Sequence, residues 1–217
     1  LRNFFCNDWI LYCISKDNKL FTCGYELSVE MPETSVKALM AGGLKYATIK
    51  ELAGKKVMDI VGTNERVVVR TEDGQVWSWN KSELVGLDQL TPQLIFAKDI
   101  ISVKSNADYT VTLDRWGKMV FQYDPGVAAF FMSHSPPPLM DLGENVTTQF
   151  ECGSLFLVAL TNKGEAFMWG LGWDWPLKHP IKVQIYKEIK WIACNDDLIM
   201  FLTVDGDICA FDCRTHR

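Results

Sequence analysis

Hydrophobic and polar residues alternate along this chain in short runs rather than in helical stripes. The clearest case is residues 66–80, R-V-V-V-R-T-E-D-G-Q-V-W-S-W-N, where a β-branched run and a second run carrying Trp77 and Trp79 flank Asp73-Gly74. Alternating runs of this composition predict strands, and an Asp-Gly pair between them predicts a hairpin with a type I′ turn. The same arrangement returns around Asn18, Gly117, Gly164 and Gly206. Strand-like runs flank each of these: 9–15 and 20–23, 109–113 and 119–123, 156–160 and 166–169, and 199–202 and 208–211. A further short run precedes most of the hairpins, at 58–61, 100–103, 146–150 and 189–193.

The turns therefore recur at intervals of roughly 40–50 residues after a longer first interval, which is the signature of a propeller or solenoid. A small sheet cannot bury both faces alone; stacking against neighbours does so. Helical solenoids are excluded because the period is two rather than 3.6. The expected fold class is all-β, a β-propeller of about four to five blades in a single domain over 1–217. Residues 26–54 form an insertion, in which Pro32-Glu33 and then Val36, Leu39 and Met40, stopped by Gly42-Gly43, predict a short helix. Pro92, residues 133–138 and Pro180 mark connectors, each preceding a short apolar stretch expected to form the first strand of the next unit.

Aligned on their turns, the five copies share more than a hairpin. A small or thiol residue and a tight polar loop precede each first hairpin strand: C-N-D-W-I at 6–10, G-T-N-E-R at 62–66, S-N-A-D-Y at 105–109, C-G-S-L-F at 152–156 and C-N-D-D-L at 194–198. After the turn come V-W-S-W at 76–79 and A-F-M-W-G at 166–170. This pattern resembles the regulator of chromosome condensation repeat, whose consensus runs A-C-G-x-x-H-T-x-A-L-T-x-D-G-x-V-Y-x-W-G. The resemblance covers nearly the whole chain except residues 26–43. It departs from the pattern at the consensus His, replaced here by Ile10, Arg66, Tyr109, Phe156 and Leu198, and in the worn glycine-rich segment after the last strand. The resemblance implies blades that usually close as a seven-membered ring. The chain is thus expected to be an incomplete propeller or part of a longer one, with missing blades or a partner covering its open edges. WD-type repeats fit less well, since the single Trp-Asp pair, Trp173-Asp174, lies beyond a strand end; kelch-type repeats need a Gly-Gly pair in every unit. The clustered-tryptophan motif of the plant ultraviolet sensor built on this propeller is absent.

Composition narrows the chemistry. A net charge of −5 argues against a nucleic-acid backbone partner, and no apolar run approaches the length needed to span a bilayer. The seven cysteines are odd in number and form no C-x-x-C pair, so neither a disulfide framework nor a zinc site is expected. Cys6, Cys152 and Cys194 share one repeat position, which suits a small buried residue in a reducing compartment, cytoplasm or nucleus. The three histidines, His134, His179 and His216, stand in connectors or the tail, with no metal or nucleophile spacing. No cofactor, metal or catalytic residue is assigned, and no phosphate-binding glycine loop occurs.

What remains is the set of polar loops that successive blades present on one face, the usual binding surface of a propeller. In the family's namesake, a nucleotide exchange factor for a nuclear small GTPase, acids just before the repeat His contact the GTPase. The matching positions here are Trp9, Glu65, Asp108, Leu155 and Asp197, with Asp8, Asn64 and Asp196 adjacent. Asp8, Asn64, Glu65, Asp108, Asp196 and Asp197 are the expected partner-binding residues. The competing explanation is that Asp and Asn recur there only to hydrogen-bond their own turns. The expected function is a non-catalytic protein-interaction propeller, a scaffold or adaptor for a protein partner such as another subunit of a complex. The alternative is guanine-nucleotide exchange on a small GTPase. Chromatin binding is disfavoured by the acidic balance.

Overall fold

The computed structural model describes residues 3–6, 10–14, 20–24, 45–47, 50–63, 66–80, 92–106, 108–124, 142–153, 156–170, 179–195 and 197–213, with backbone pairing alone up to Lys50. The described strands form five separate antiparallel sheets. The first comprises β1 (Asn3–Cys6), β2 (Ile10–Ile14), β3 (Leu20–Gly24) and β4 (Lys45–Ala47), and a single 3-10 turn follows at Lys50–Leu52. The second comprises β5 (Val57–Gly62), β6 (Arg66–Thr71), β7 (Val76–Asn80) and β8 (Gln93–Phe96). The third holds β9 (Ile100–Ser105), β10 (Tyr109–Asp114) and β11 (Met119–Tyr123). The fourth holds β12 (Thr147–Cys152), β13 (Phe156–Thr161), β14 (Ala166–Gly170) and β15 (Ile181–Lys182), and the fifth β16 (Ile189–Cys194), β17 (Leu198–Thr203) and β18 (Ile208–Asp212). Each sheet is an up-and-down meander in chain order, the blade of a propeller. The expected helix after Pro32 and the turn at Asn18 lie outside the described residues.

Two sequence expectations are corrected. The turn of the 66–80 hairpin has three residues, not two. Gly74 N donates to Thr71 O at 2.9 Å and Thr71 N donates to Gln75 O at 2.9 Å. Only Gly74, at φ 78°, has positive φ in this turn. This is a type I turn closed by a glycine bulge, not a type I′ turn. The same hydrogen-bond pair closes Asp114–Lys118, Thr161–Glu165 and Thr203–Asp207, with Gly117, Gly164 and Gly206 at φ 84°, 69° and 91°. The residue opening each turn also caps it. Asp114 Oδ1 accepts from Trp116 N and Lys118 N at 2.9 Å each, Thr203 Oγ1 accepts from Asp207 N at 3.1 Å, and Thr71 Oγ1 donates to Asp73. The second correction concerns the stretches after Pro92 and Pro180. They do not begin new units; β8 pairs back onto β7 and β15 onto β14, completing the sheet already formed. The outer hairpin strand offers an unpaired edge, and the returning chain satisfies it before moving on.

The chain divides into two compact units, residues 1–100 and 101–217. In the first, β1 lies against β5, and Val57, Ile60, Val67, Val68, Val69, Val76 and Trp79 are buried. Gly74 O accepts from Ile100 N at 3.1 Å, at the end of this unit. In the second unit two apolar layers alternate with the blades. One joins Tyr109, Val111, Leu113 and Met119 to Phe150, Leu157, Ala159 and Trp169. The other joins Phe156, Val158, Leu160, Ala166 and Met168 to Ile189, Ile192, Ile199 and Phe201. Residues of β13 thus point alternately to the blade before and the blade after, which explains why all six are buried.

Candidate functional site

The loops joining the first and second strands of the blades share one construction. Thr63 N donates to Arg66 O at 2.9 Å, Asn106 N to Tyr109 O at 3.1 Å, Gly153 N to Phe156 O at 3.0 Å and Asn195 N to Leu198 O at 3.0 Å. Where a two-residue hairpin would answer with a backbone carbonyl, the side chain does so. Asn106 Oδ1 accepts from Asp108 N at 2.9 Å and Tyr109 N at 3.1 Å. Asn195 Oδ1 accepts from Asp197 N at 3.0 Å and Leu198 N at 2.8 Å, and Thr63 Oγ1 accepts from Arg66 N at 3.0 Å. These are Asx- and Thr-type turns, in which the loop-opening side chain fixes the loop backbone.

Of the expected contact residues, Asp108 and Asp197 are described; Asp8, Asn64, Glu65 and Asp196 lie outside the described residues, as do Trp9 and Leu155. The two described acids occupy equivalent places. Asp108 O accepts from Asp124 N at 2.8 Å and Asp197 O from Cys213 N at 2.7 Å, each clamping the end of its blade's third strand. Their side chains differ. Asp197 is exposed. Asp108 is half-buried, and desolvation first and the nearby Asp124 charge second raise its carboxyl above the ordinary aspartate value. Both causes disfavour the charged carboxylate in the fold. Asp197 also acts on its neighbour: burial first, then the charges of Asp212 and Asp197, push the Cys213 thiol up to about 12.

The position of the consensus His holds a structural residue in the third blade. Tyr109 is buried, and its Oη lies 2.7 Å from Gly153 O and 3.0 Å from Phe156 O, sharing its proton between two carbonyls of the next blade's loop. Asn106 Nδ2 donates to the same Gly153 O at 2.8 Å. Lys104 Nζ reaches Glu151 at 2.9 Å, and Gln149 holds the backbone of Ile192 through both ends of its amide. Consecutive loops in this unit are thereby fixed relative to one another. Sequence reasoning singled out the acids and passed over the loop-opening residue. The recurrence of Asn7, Thr63, Asn106, Gly153 and Asn195 at that place was the available signal.

Among the described residues no group of three or more His, Cys, Asp or Glu side chains is placed to hold a metal ion, and no helix is long and apolar enough to cross a membrane. Cys152, Cys194, Cys209 and Cys213 are not in disulfides. The described loops carry one exposed acid, Asp197, and one half-buried acid, Asp108.

No protein-family model matches the sequence. The human regulator of chromosome condensation is 26% identical over 170 residues, 70% of this chain and 40% of that protein. Among solved structures, human WBSCR16 aligns over 93% of this chain with a TM-score of 0.62 at 19% identity. Prp20p from Saccharomyces cerevisiae aligns over 97% with a TM-score of 0.65 at 12% identity. The chain spans 40% of the length of that curated relative and 57% of each solved structure. With five in-phase copies of the repeat motif and blades built to one plan, the chain has the propeller fold of these proteins and is similar, as a divergent relative, to the regulator of chromosome condensation repeat proteins.

Proposed function

We propose that the chain is a non-catalytic protein-interaction module, a scaffold or adaptor. It binds a protein partner through the loops between the first and second strands of its blades. Asp8, Asn64, Glu65, Asp108, Asp196 and Asp197 are the contact residues. The observation carrying this reading is the division of labour in the loops. Asn106 and Asn195 close the turns through their side-chain oxygens, and the Asp108 carboxyl is set where desolvation and the Asp124 charge raise it above the ordinary value. Charged groups held at a cost to stability mark functional surfaces more often than bulk surface. Propellers of this family act as interaction modules or exchange factors, which fits the reading. Reversing charge at Glu65, Asp108 and Asp197 together is expected to weaken capture of the partner in a pull-down without loss of the folded state; undiminished capture refutes this binding face.

A second reading, nucleotide exchange on a small GTPase, draws support from the likeness to Prp20p, a protein with binding properties toward Gsp1p and histones. Such a protein needs no acid–base residue, since it favours the nucleotide-free GTPase by differential binding. Nucleotide release measured against a panel of small GTPases tests it. Acceleration on one member establishes exchange, and none on any member rules it out for this chain. Histone binding would require contacts that the net charge of −5 opposes.

A further inference from the structure

The strands of a blade reverse direction in turn, so its hairpin turn lies at the end opposite its acid-bearing loop. In residues 101–217 three such turns stand side by side. A Cβ on Gly117 would stand 2.5 Å from Val146 Cγ1, so the third blade's turn abuts the segment entering the fourth blade. Gly164 O accepts from Ile189 N at 2.9 Å, which ties the fourth blade's turn to the start of the fifth. Asn162 N donates to Val146 O at 2.9 Å and Val204 N to Glu188 O at 3.0 Å, holding each turn against the segment that enters its own blade.

The three turns share one backbone and differ in what they carry. In D-R-W-G-K at 114–118, Asp114 Oδ1 is engaged by the N–H groups of Trp116 and Lys118, while Arg115 and Lys118 are exposed cations. Trp116 is 65% exposed, and the Arg115 guanidinium lies 5.8 Å from the centre of its ring, a cation–π contact that restrains the indole. The same turn position holds Lys163 and Asp205 in the next two blades, so the turn itself does not call for an indole. In T-N-K-G-E at 161–165 the charges balance, and Glu165 pairs with Lys182 at 2.6 Å. In T-V-D-G-D at 203–207, Asp205 and Asp207 are exposed and Val204 is 51% exposed. The entering segments extend the contrast. Glu144 is exposed near the first turn; beside the last, Lys187 pairs with Asp207 and, at 3.2 Å, with Asp205, next to a fully exposed Tyr186.

The row thus has a cationic end with one counter-anion, a balanced middle and an anionic end with one counter-cation. Each end also offers an exposed aromatic ring. A two-fold axis over the middle turn would bring unlike ends together twice, which is the self-complementarity that an isologous interface requires. We propose that two copies of the chain associate across this row of hairpin turns. Arg115 and Lys118 of one copy face Asp205 and Asp207 of the other, and Trp116 packs against Tyr186 and Val204. A cationic end alone would suit any acidic surface; the sign-reversed pair of ends selects a second copy. Three turns make a small contact, so the dimer is weak and salt-sensitive. It uses the face opposite the acid-bearing loops and does not depend on partner binding there.

Sedimentation of the whole chain at concentrations up to about 200 µM tests this, the range in which small interfaces associate. A monomer–dimer equilibrium is expected at low salt, with a dissociation constant at least tenfold larger at high salt. Arg115→Glu plus Lys118→Glu should leave monomers, and so should Asp205→Lys plus Asp207→Lys. Glu72, Glu165, Lys163 and Lys118 already occupy these turn positions in other blades, so the replacements suit the turn. Mixing the two variants should restore a dimer, because both contacts are then attractive again, and a chain carrying all four replacements should dimerise by itself. Trp116→Ala should raise the parent's dissociation constant at least tenfold. A parent chain that stays monomeric at low salt overturns the proposal. So does a dimer that survives either charge reversal or the loss of Trp116, and so do monomeric variants that fail to recombine on mixing.

Discussion

Replacing the turn glycines one at a time separates the cost of a left-handed turn residue from the cost of displacing a neighbouring blade. Gly117 and Gly206 lie in the same compact unit, in the same turn type, at φ 84° and 91°. Alanine at either position meets the same backbone strain, about 1–2 kcal/mol. Restricting the unfolded chain offsets about 0.4–1 kcal/mol of that. Gly206→Ala should therefore cost about 1 kcal/mol, since its new methyl enters open space. At Gly117 the methyl would stand 2.5 Å from Val146 Cγ1 and 3.0 Å from Thr147 N, at the start of the next blade's first strand. Part of that obstacle is backbone, so the turn must lift away from β12, adding about 1–3 kcal/mol as overpacking usually does. The expected total for Gly117→Ala is about 2–4 kcal/mol. Urea unfolding of the two variants beside the parent chain measures the difference. Equal costs within about 0.5 kcal/mol, the usual error of such comparisons, would refute the claim that Gly117 seats its blade on the next.

Three further outcomes are expected. Tyr109→Phe should lower stability by about 1–2 kcal/mol, because buried carbonyls of Gly153 and Phe156 lose their shared donor; urea unfolding reads this, and no loss would contradict the bridge between loops. Asp108→Asn should stabilise the chain at neutral pH, because the folded carboxyl is held above its ordinary value. The charged form is penalised in the fold, so the gain should shrink as pH falls through the raised folded value and vanish below about pH 4, where the carboxyl is neutral in both folded and unfolded chains; thermal midpoints across pH 3–8 measure it. Alkylation of Cys213 by iodoacetamide should keep rising through pH 10, since its thiol is pushed up to about 12. The associated stability is full below the free-thiol value near about 8.5 and is lost as pH rises toward the folded value. Levelling of the rate near pH 9 would contradict the assigned environment.

Much of the architecture was legible because each hairpin carries its own local chemistry. Runs such as Val67–Val69 and Ile199–Leu202 flank a glycine that can take positive φ, and both signals are strictly local. The turn type was not legible. Asp73-Gly74 reads equally well as a two-residue or a three-residue loop, and only the pairing of Thr71 with Gln75 decides. The fourth strands β4, β8 and β15 were missed as such because they are two to four residues long and partly polar. Their existence depends on an unpaired neighbouring edge, which periodicity does not encode. In the loops, the acids drew attention through the family resemblance, while Asn106 and Asn195 make the observed turn bonds. The loss of the repeat His at Tyr109 was visible, but not that the hydroxyl reaches into the following blade, since that contact spans 44 residues.

Hydrogen exchange on the complex with a captured protein partner tests the central claim most directly. The amides of residues 106–109 and 195–198, in the acid-bearing loops, should exchange more slowly on binding, while those of the hairpin turns at 114–118 and 161–165 should not change. Protection confined to the hairpin turns, with the loops exchanging as in the free chain, would contradict the assignment of the binding face.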